Sequence, residues 1–276
     1  MEPAAHHAGS LASTSLFLLL VVLPLAVLAA YLFAAWREIS RSGWSRFRIA
    51  SFAIGIAMIV GAVLPVGEWQ QGLRGHMAQH LLLGMFAPLA LVMGAPVTLL
   101  LRSVPAGIGR FIAGLLRKRP VIVLTHPVSV LLLSTGGMYL LYLTPLFAIS
   151  TTNGTLHVLV HVHFVVSGYL FAWAIAGPDP APCRPGMPTR LAVLFTGTAA
   201  HASLGKIMYG YGFPRGVGAT ATELQSAAKW MYYGGDVAEL LLIVAFVATW
   251  FRVYRRRGRT PRGSLVERWV LGTAGG

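Results

Sequence analysis

The chain has 276 residues, of which 56% are hydrophobic and only 11% are charged. A soluble domain carries roughly 25% charged residues, so this composition excludes an ordinary water-soluble domain and favours a chain that meets lipid. The net charge of +14 comes from 22 Lys and Arg against 8 Asp and Glu. Because the basic residues form short clusters between apolar runs, we expect them to set membrane topology and to contact anionic lipid headgroups, and we expect no nucleic-acid partner.

A single cysteine, Cys183, limits the metal chemistry that the chain can offer. One thiol excludes an intramolecular disulfide and a cysteine-based metal cage. Metal ligands would have to come from the nine histidines and nine methionines. Residues 1–15 contain no Lys or Arg, so they lack the positive region of a cleaved signal peptide. We therefore expect the first apolar run to be a retained membrane span.

Seven apolar segments have about the 20 residues that a helix needs to cross the bilayer core. They predict an all-α, polytopic membrane protein with seven transmembrane helices. We expect an external N-terminal tail (1–15), a transmembrane domain (16–254) and a basic cytoplasmic tail (255–276). In chain order the predicted spans are 16–36, 49–66, 75–101, 121–147, 154–175, 190–211 and 229–254.

The loops between these spans predict the orientation of the chain. Lys and Arg concentrate in the loops after the first, third and fifth spans and in the C-terminal tail, whereas the alternate loops are nearly bare. Cytoplasmic loops carry the excess of Lys and Arg in membrane proteins. The charge pattern therefore predicts an external N-terminus and a cytoplasmic C-terminus for a multi-pass inner-membrane protein.

This topology gathers histidines from three spans near the outer face. Two of them open the third span, three open the fifth, and one lies in the middle or outer half of the sixth. His126 falls on the cytoplasmic half and looks structural, while His6 and His7 belong to the external tail. The candidate metal ligands are His76, His80, His157, His161, His163 and His201.

The spacing of these histidines favours a metal site. His76 and His80 are four residues apart, as are His157 and His161. Each pair therefore lies on one face of its helix and can bind one ion. His201 could complete the site from a third helix, whereas His163 points elsewhere. Imidazole suits Zn, Cu, Fe and Ni. A single membrane histidine can equally be an interhelical hydrogen-bond partner, and for His163 alone that alternative stays open.

Other polar and sulfur-containing side chains are expected at the same end. The acidic ones could orient histidine rings, conduct protons or pair with Lys206 or Lys229. The thioethers could bind Cu(I) or simply fill gaps between helices. These side chains are Glu68, Glu223, Gln225, Asp236 and Glu239, with Met77, Met208 and Met231.

Several motifs around the histidines resemble one known family. Residues 76–83 read HMAQHLLL and are followed by APL at 87–89 and GAP at 94–96. Later come HVLVHVHF at 157–164 with Gly168, GPDP at 177–180 and AHASLG at 200–205. Together these stretches closely resemble the polytopic CtaG family of cytochrome c oxidase assembly factors, over roughly residues 50–255. All six candidate histidines match histidines of that family.

The resemblance implies a copper-binding assembly factor without enzymatic activity. Its expected role is to support insertion of copper into the catalytic subunit of a haem-copper oxidase, and an extracytoplasmic copper chaperone is a possible second partner. The chain departs from the family before the last span. The family tends to have Asp-Gln-Gln, a Gly pair and a Trp there, whereas this chain has Glu223-Leu224-Gln225, Ala227-Ala228 and Tyr232.

Three other functions remain open on the residues alone. A membrane di-iron enzyme would use similar histidine spacings, but on the cytoplasmic side. A haem protein would use histidine pairs from two helices as axial ligands. A copper transporter would need polar groups that continue to the inner face, where His126 is the single histidine candidate.

Overall fold

The computed structural model describes residues 3–64, 72–181 and 184–258. Glu68, Cys183 and the tail beyond Gly258 lie outside these ranges, as do the side chains of His6 and His7. The described residues are helical, without strands. We number the helices α1 (Pro3–Ser42), α2 (Arg46–Val63), α3 (Gly72–Met93), α4 (Pro96–Ser103), α5 (Ala106–Leu116), α6 (Arg119–Leu124), α7 (Pro127–Leu143), α8 (Leu146–Thr152), α9 (Gly154–Ala176), α10 (Met187–Tyr211) and α11 (Ala221–Gly258).

The helices confirm an all-α protein with six to seven candidate membrane spans. Six helices in the described ranges (α1, α2, α3, α9, α10 and α11) are long and apolar enough to cross a bilayer. A seventh span exists if α7 and α8 count as one, although the two are bent by 79°. Large apolar side chains such as Phe33, Leu132 and Phe195 are exposed on the outer surface of the bundle, as expected for helices that face lipid rather than water.

Two predicted spans have the wrong length. The third was expected to run to residue 101, but α3 ends at Met93 and the chain turns at Gly94 and Ala95, whose φ is +52°. Pro96 then begins the separate helix α4, because proline lacks the N–H needed inside a helix and suits its first turn. Apolar residues on both sides of this turn hide it from a hydropathy pattern.

The predicted fourth span is likewise divided. Its first part is the short helix α6, and α7 starts anew after His126, whose side chain accepts a hydrogen bond from the Val128 amide at 3.3 Å. His126 therefore caps a helix, in agreement with its structural interpretation. The bend between α7 and α8 falls at Thr144 and Pro145. The first helix also begins earlier than expected, at Pro3 instead of near residue 16.

Helices α3 and α9 pack closely at the centre of the bundle. A Cβ on Gly168 of α9 would collide with the backbone carbonyl oxygen of Gly84 on α3. It would also approach Pro88 Cγ to 3.0 Å. Only glycine at 168 therefore permits this helix separation.

Helix α9 has a side-chain cap at its start, and helices α3 and α7 each contain an irregular turn. The Asn153 side chain accepts a hydrogen bond from the Leu156 amide and so caps α9. Helix α3 contains a π-turn over Leu82–Phe86, just before Pro88, which cannot donate a backbone hydrogen bond. Helix α7 contains a second π-turn over Leu132–Gly136.

The end of the bundle beyond α9 is held by a buried carboxylate. Asp179 accepts hydrogen bonds from the amides of Val97 and Thr98 at 3.2 and 2.8 Å, and from the Thr98 hydroxyl at 2.5 Å. Arg184 donates to the Asp179 backbone carbonyl at 2.7 Å. Burial raises the pKa of the Asp179 carboxyl, while the Thr98 and Val97 hydrogen bonds oppose that rise. Asp179 thus ties the α9–α10 loop to the start of α4.

Candidate metal centre

The starts of α3 and α9 bring four histidines together. Within each helix the ring centroids are 4.4 Å apart for His76 and His80 and 4.3 Å apart for His157 and His161. Between the helices, His76 lies 5.2 Å from His157 and His80 lies 5.8 Å from His161. We call these residues the four-histidine cluster. The i, i+4 spacing sets each pair on one face, and the close approach of α3 and α9 makes the two faces meet.

The four-histidine cluster contains buried nitrogen atoms without partners. The Nε2 atoms of His76, His80 and His161 are buried and have no hydrogen-bond partner among the described residues. Buried polar atoms are normally hydrogen-bonded. Uncharged imidazoles with free ring nitrogens are the form in which histidine binds a metal ion. The chemistry of this donor set therefore fits a metal such as copper or zinc.

Second contacts orient two of these rings. The Tyr142 hydroxyl, on α7, is hydrogen-bonded to His80 Nδ1, which leaves Nε2 of that ring free for another ligand. The His157 ring hydrogen-bonds to the backbone of Ser150 on α8. Such outer contacts fix the tautomer and direction of a ligating histidine. The bent α7–α8 pair thus supplies the supports for rings carried by α3 and α9.

Aromatic side chains form the walls of the four-histidine cluster. Phe147 stands edge-on to His76, with 4.9 Å between ring centroids. Phe164 lies 4.7 Å from His80 by the same measure. In the part of the chain that the structure describes, no three His, Cys, Asp or Glu side chains already stand where they could hold one ion. Binding a metal here therefore requires the rings to turn toward a common point.

The two remaining predicted ligands lie apart from the four-histidine cluster. A Cβ on Gly137 of α7 would collide with His163 Nε2, so His163 faces α7. His201, on α10, is buried against Gly235 of α11, and its Nδ1 lies 3.4 Å from Glu239 Oε1. The structure therefore brings together four of the six predicted histidines and gives His201 a different neighbour.

Tyr142 contacts a histidine ring although the sequence did not predict it, and Glu223 has a different role from the one considered. Tyr142 contacts His80, but a tyrosine near the end of an apolar span carries no signal that separates it from an interfacial aromatic residue. Glu223, considered as a support for histidines, instead accepts hydrogen bonds from the Thr220 amide and hydroxyl, both at 2.8 Å. Its own amide donates to Thr220 Oγ1 at 3.3 Å. This reciprocal pair is a capping box at the start of α11.

Comparison with known proteins identifies the family. The profile of the cytochrome c oxidase caa3 assembly factors, Caa3_CtaG, matches residues 29–253. The chain belongs to this family. The match covers both central helices, the four-histidine cluster and the Asp179 loop.

Curated relatives occur in mycobacteria. Uncharacterized proteins of Mycobacterium bovis and Mycobacterium tuberculosis are each 35% identical over 248 residues, which cover 81% of this chain. An uncharacterized protein of Mycobacterium leprae is 31% identical over 228 residues, or 71% of this chain. The chain spans little more than a third of these relatives, 37% of the first two and 34% of the third. No solved structure matches it.

Proposed function

We propose that this membrane protein binds copper at the four-histidine cluster and supports its insertion into a terminal cytochrome c oxidase. The observation that carries the proposal is the set of unpartnered Nε2 atoms on His76, His80 and His161, gathered from two helices at one end of the bundle. Membership of an oxidase assembly family supplies the client class. Histidine nitrogen is a common copper ligand, so the donors and the family role agree.

The proposal extends to partners and place. The protein acts in a bacterial cell membrane with the four-histidine cluster on the extracytoplasmic side, as the Lys and Arg distribution predicts. It receives copper there, from an extracytoplasmic chaperone, and passes it to the catalytic subunit of a haem-copper oxidase in the plane of the membrane. It acts as a carrier of copper and not as an enzyme, in keeping with the assembly role of its family.

Metal analysis of the purified full chain tests the proposal. We expect copper in the wild-type protein and loss of most of it in the double variant His76→Leu/His80→Leu. Leucine removes the ring nitrogens and fills a similar volume with apolar atoms. The variant His126→Asn is the matched control, because it removes a histidine from a helix cap and asparagine can also cap a helix. Full copper content in the double variant contradicts the proposal.

A second measurement tests the client. Cells that lack the chromosomal gene and carry either variant on a plasmid are assayed for cytochrome c oxidase activity at limiting copper. We expect low activity with His76→Leu/His80→Leu, recovery on addition of excess copper, and normal activity with His126→Asn. Normal activity with the double variant would show that these histidines do not supply copper to the oxidase. A Soret band in the purified protein would instead indicate a haem site.

A further inference from the structure

An interior cavity adjoins the four-histidine cluster and carries a different set of donors. It lies between α3, α7, α9, α10 and α11 and has a volume of about 60 Å³. This volume is more than one water molecule needs. His80 belongs to both the four-histidine cluster and the cavity wall. Across the cavity are His201 and Glu239, and the wall includes Met77, Met138 and Met231.

The pair of His201 and Glu239 has no role in the four-histidine cluster. The two side chains are only 2% and 7% exposed. Their nearest atoms are 3.4 Å apart, and His201 Nδ1 has no hydrogen-bond partner among the described residues. Ionisable groups inside a membrane protein are costly and usually functional. The absence of a Cβ on Gly235, where one would collide with the His201 ring, makes room for this arrangement.

We propose that His201, Glu239 and the cavity methionines form a second copper site, selective for Cu(I) and reached from the four-histidine cluster through His80. The inference rests on the proposed function, because it requires that the protein carries copper. Thioether and imidazole ligands together favour Cu(I). The Glu239 carboxylate offsets the charge of the ion in an apolar interior, where an uncompensated charge is strongly unfavourable.

The helix irregularities support a ligand site at this position. Gly84 and Met85, in the π-turn of α3, line the cavity, and so do Ser134 and Thr135, in the π-turn of α7. Such wide turns occur frequently at functional sites. Here both of the π-turns among the described residues border the same small space.

Anaerobic titration of the purified full chain with Cu(I), against a chromophoric chelator, measures the number of copper ions bound. We expect about two for the wild type, about one for His201→Leu, and about one for His157→Leu/His161→Leu, which spares the shared His80. X-ray absorption of the last variant should show sulfur scattering from the copper that remains.

Met231→Leu and Met208→Leu are matched substitutions. Both methionines are buried, at 3% and 0% exposure, but only Met231 is a cavity-wall residue. We expect Met231→Leu to weaken the second copper about tenfold and Met208→Leu to leave it unchanged. Because leucine resembles methionine in size, both proteins should fold.

The outcomes separate this inference from the proposed function. A single copper in the wild type, retained in His201→Leu, overturns the second site and leaves the four-histidine cluster standing. Loss of all copper in His157→Leu/His161→Leu, or no sulfur scattering in the wild type, also overturns it. No copper in any form of the protein overturns the proposed function itself.

Discussion

Asp179 and the four-histidine cluster are both buried polar groups, and they lie at opposite ends of α9. The Asp179 carboxylate accepts three hydrogen bonds from the start of α4. By contrast, three of the clustered histidines keep a buried ring nitrogen without a partner. Buried polar atoms at the two ends therefore differ in hydrogen bonding, because the Asp179 oxygens have donors and these three ring nitrogens have no partner. The difference separates a polar group that holds the fold together from polar groups arranged for a ligand.

The largest expected effect is at Asp179. Asp179→Ala should lower the free energy of unfolding in detergent by about 3 kcal/mol, because it strands the amides of Val97 and Thr98 and removes charge-assisted hydrogen bonds. Denaturant titration measures this loss. Thr151→Ala removes one exposed side-chain hydrogen bond to the Ala148 carbonyl and should change stability by no more than about 0.5 kcal/mol. A comparable loss in both variants would remove the contrast between the two ends.

The histidine end should respond to metal instead. Copper at about 100 times its dissociation constant should stabilise the wild type by about 2.7 kcal/mol, measured as a rise in the thermal unfolding midpoint. His76→Leu/His80→Leu should lose that rise. Without copper, the double variant should lose no more than about 3 kcal/mol, because His80→Leu leaves the buried Tyr142 hydroxyl without its partner, whereas the unpartnered Nε2 atoms contribute little. A strongly destabilised metal-free variant would mean that these histidines are structural.

A smaller effect is expected at the residue that orients His80. Tyr142→Phe should weaken copper binding about tenfold, or about 1.4 kcal/mol, because the hydroxyl no longer fixes the imidazole. Tyr139→Phe is the control, since Tyr139 lies on the same helix and its hydroxyl donates to the Ala200 carbonyl at 2.9 Å. Competition titration with a copper chelator gives both affinities. Equal affinities in the two variants would exclude an orienting role for Tyr142.

The smallest effect concerns the capping box. Thr220→Ala should cost roughly 1 kcal/mol of stability through loss of the α11 cap, with unchanged copper content. Thermal unfolding and metal analysis on one preparation give both quantities. A drop in copper would show that the start of α11 acts on the metal centre after all.

The predicted spans succeed where local chemistry marks the ends of a helix. Helix α9 begins at Gly154, as expected, because Asn153 caps it, and it ends beside Gly177. The end of the third span was placed too late because Gly94 and Ala95 are apolar and lie inside an apolar run. Hydropathy measures whether a segment prefers lipid, and it does not register a change of direction.

The two histidine pairs of the candidate metal centre were predictable from the sequence, but the complete arrangement was not. The i, i+4 spacing identifies His76 with His80 and His157 with His161 from one helix at a time. The position of His201 along α10 also follows from the sequence. Its rotation about α10 does not, because α10 has apolar residues on all sides and no clear polar face, so its contact with Glu239 required the packed structure.

Gly168 sets the distance between the two helices that carry the four-histidine cluster. All four histidines of the cluster are carried by α3 or α9, and the backbone contact between Gly168 and Gly84 sets the separation of these helices. Main-chain atoms therefore fix the distance between the two histidine pairs, and main-chain atoms cannot be repacked as side chains can. A single methyl group at position 168 would move α3 and α9 apart. It would increase the distance between the two histidine pairs without changing any of the four histidines.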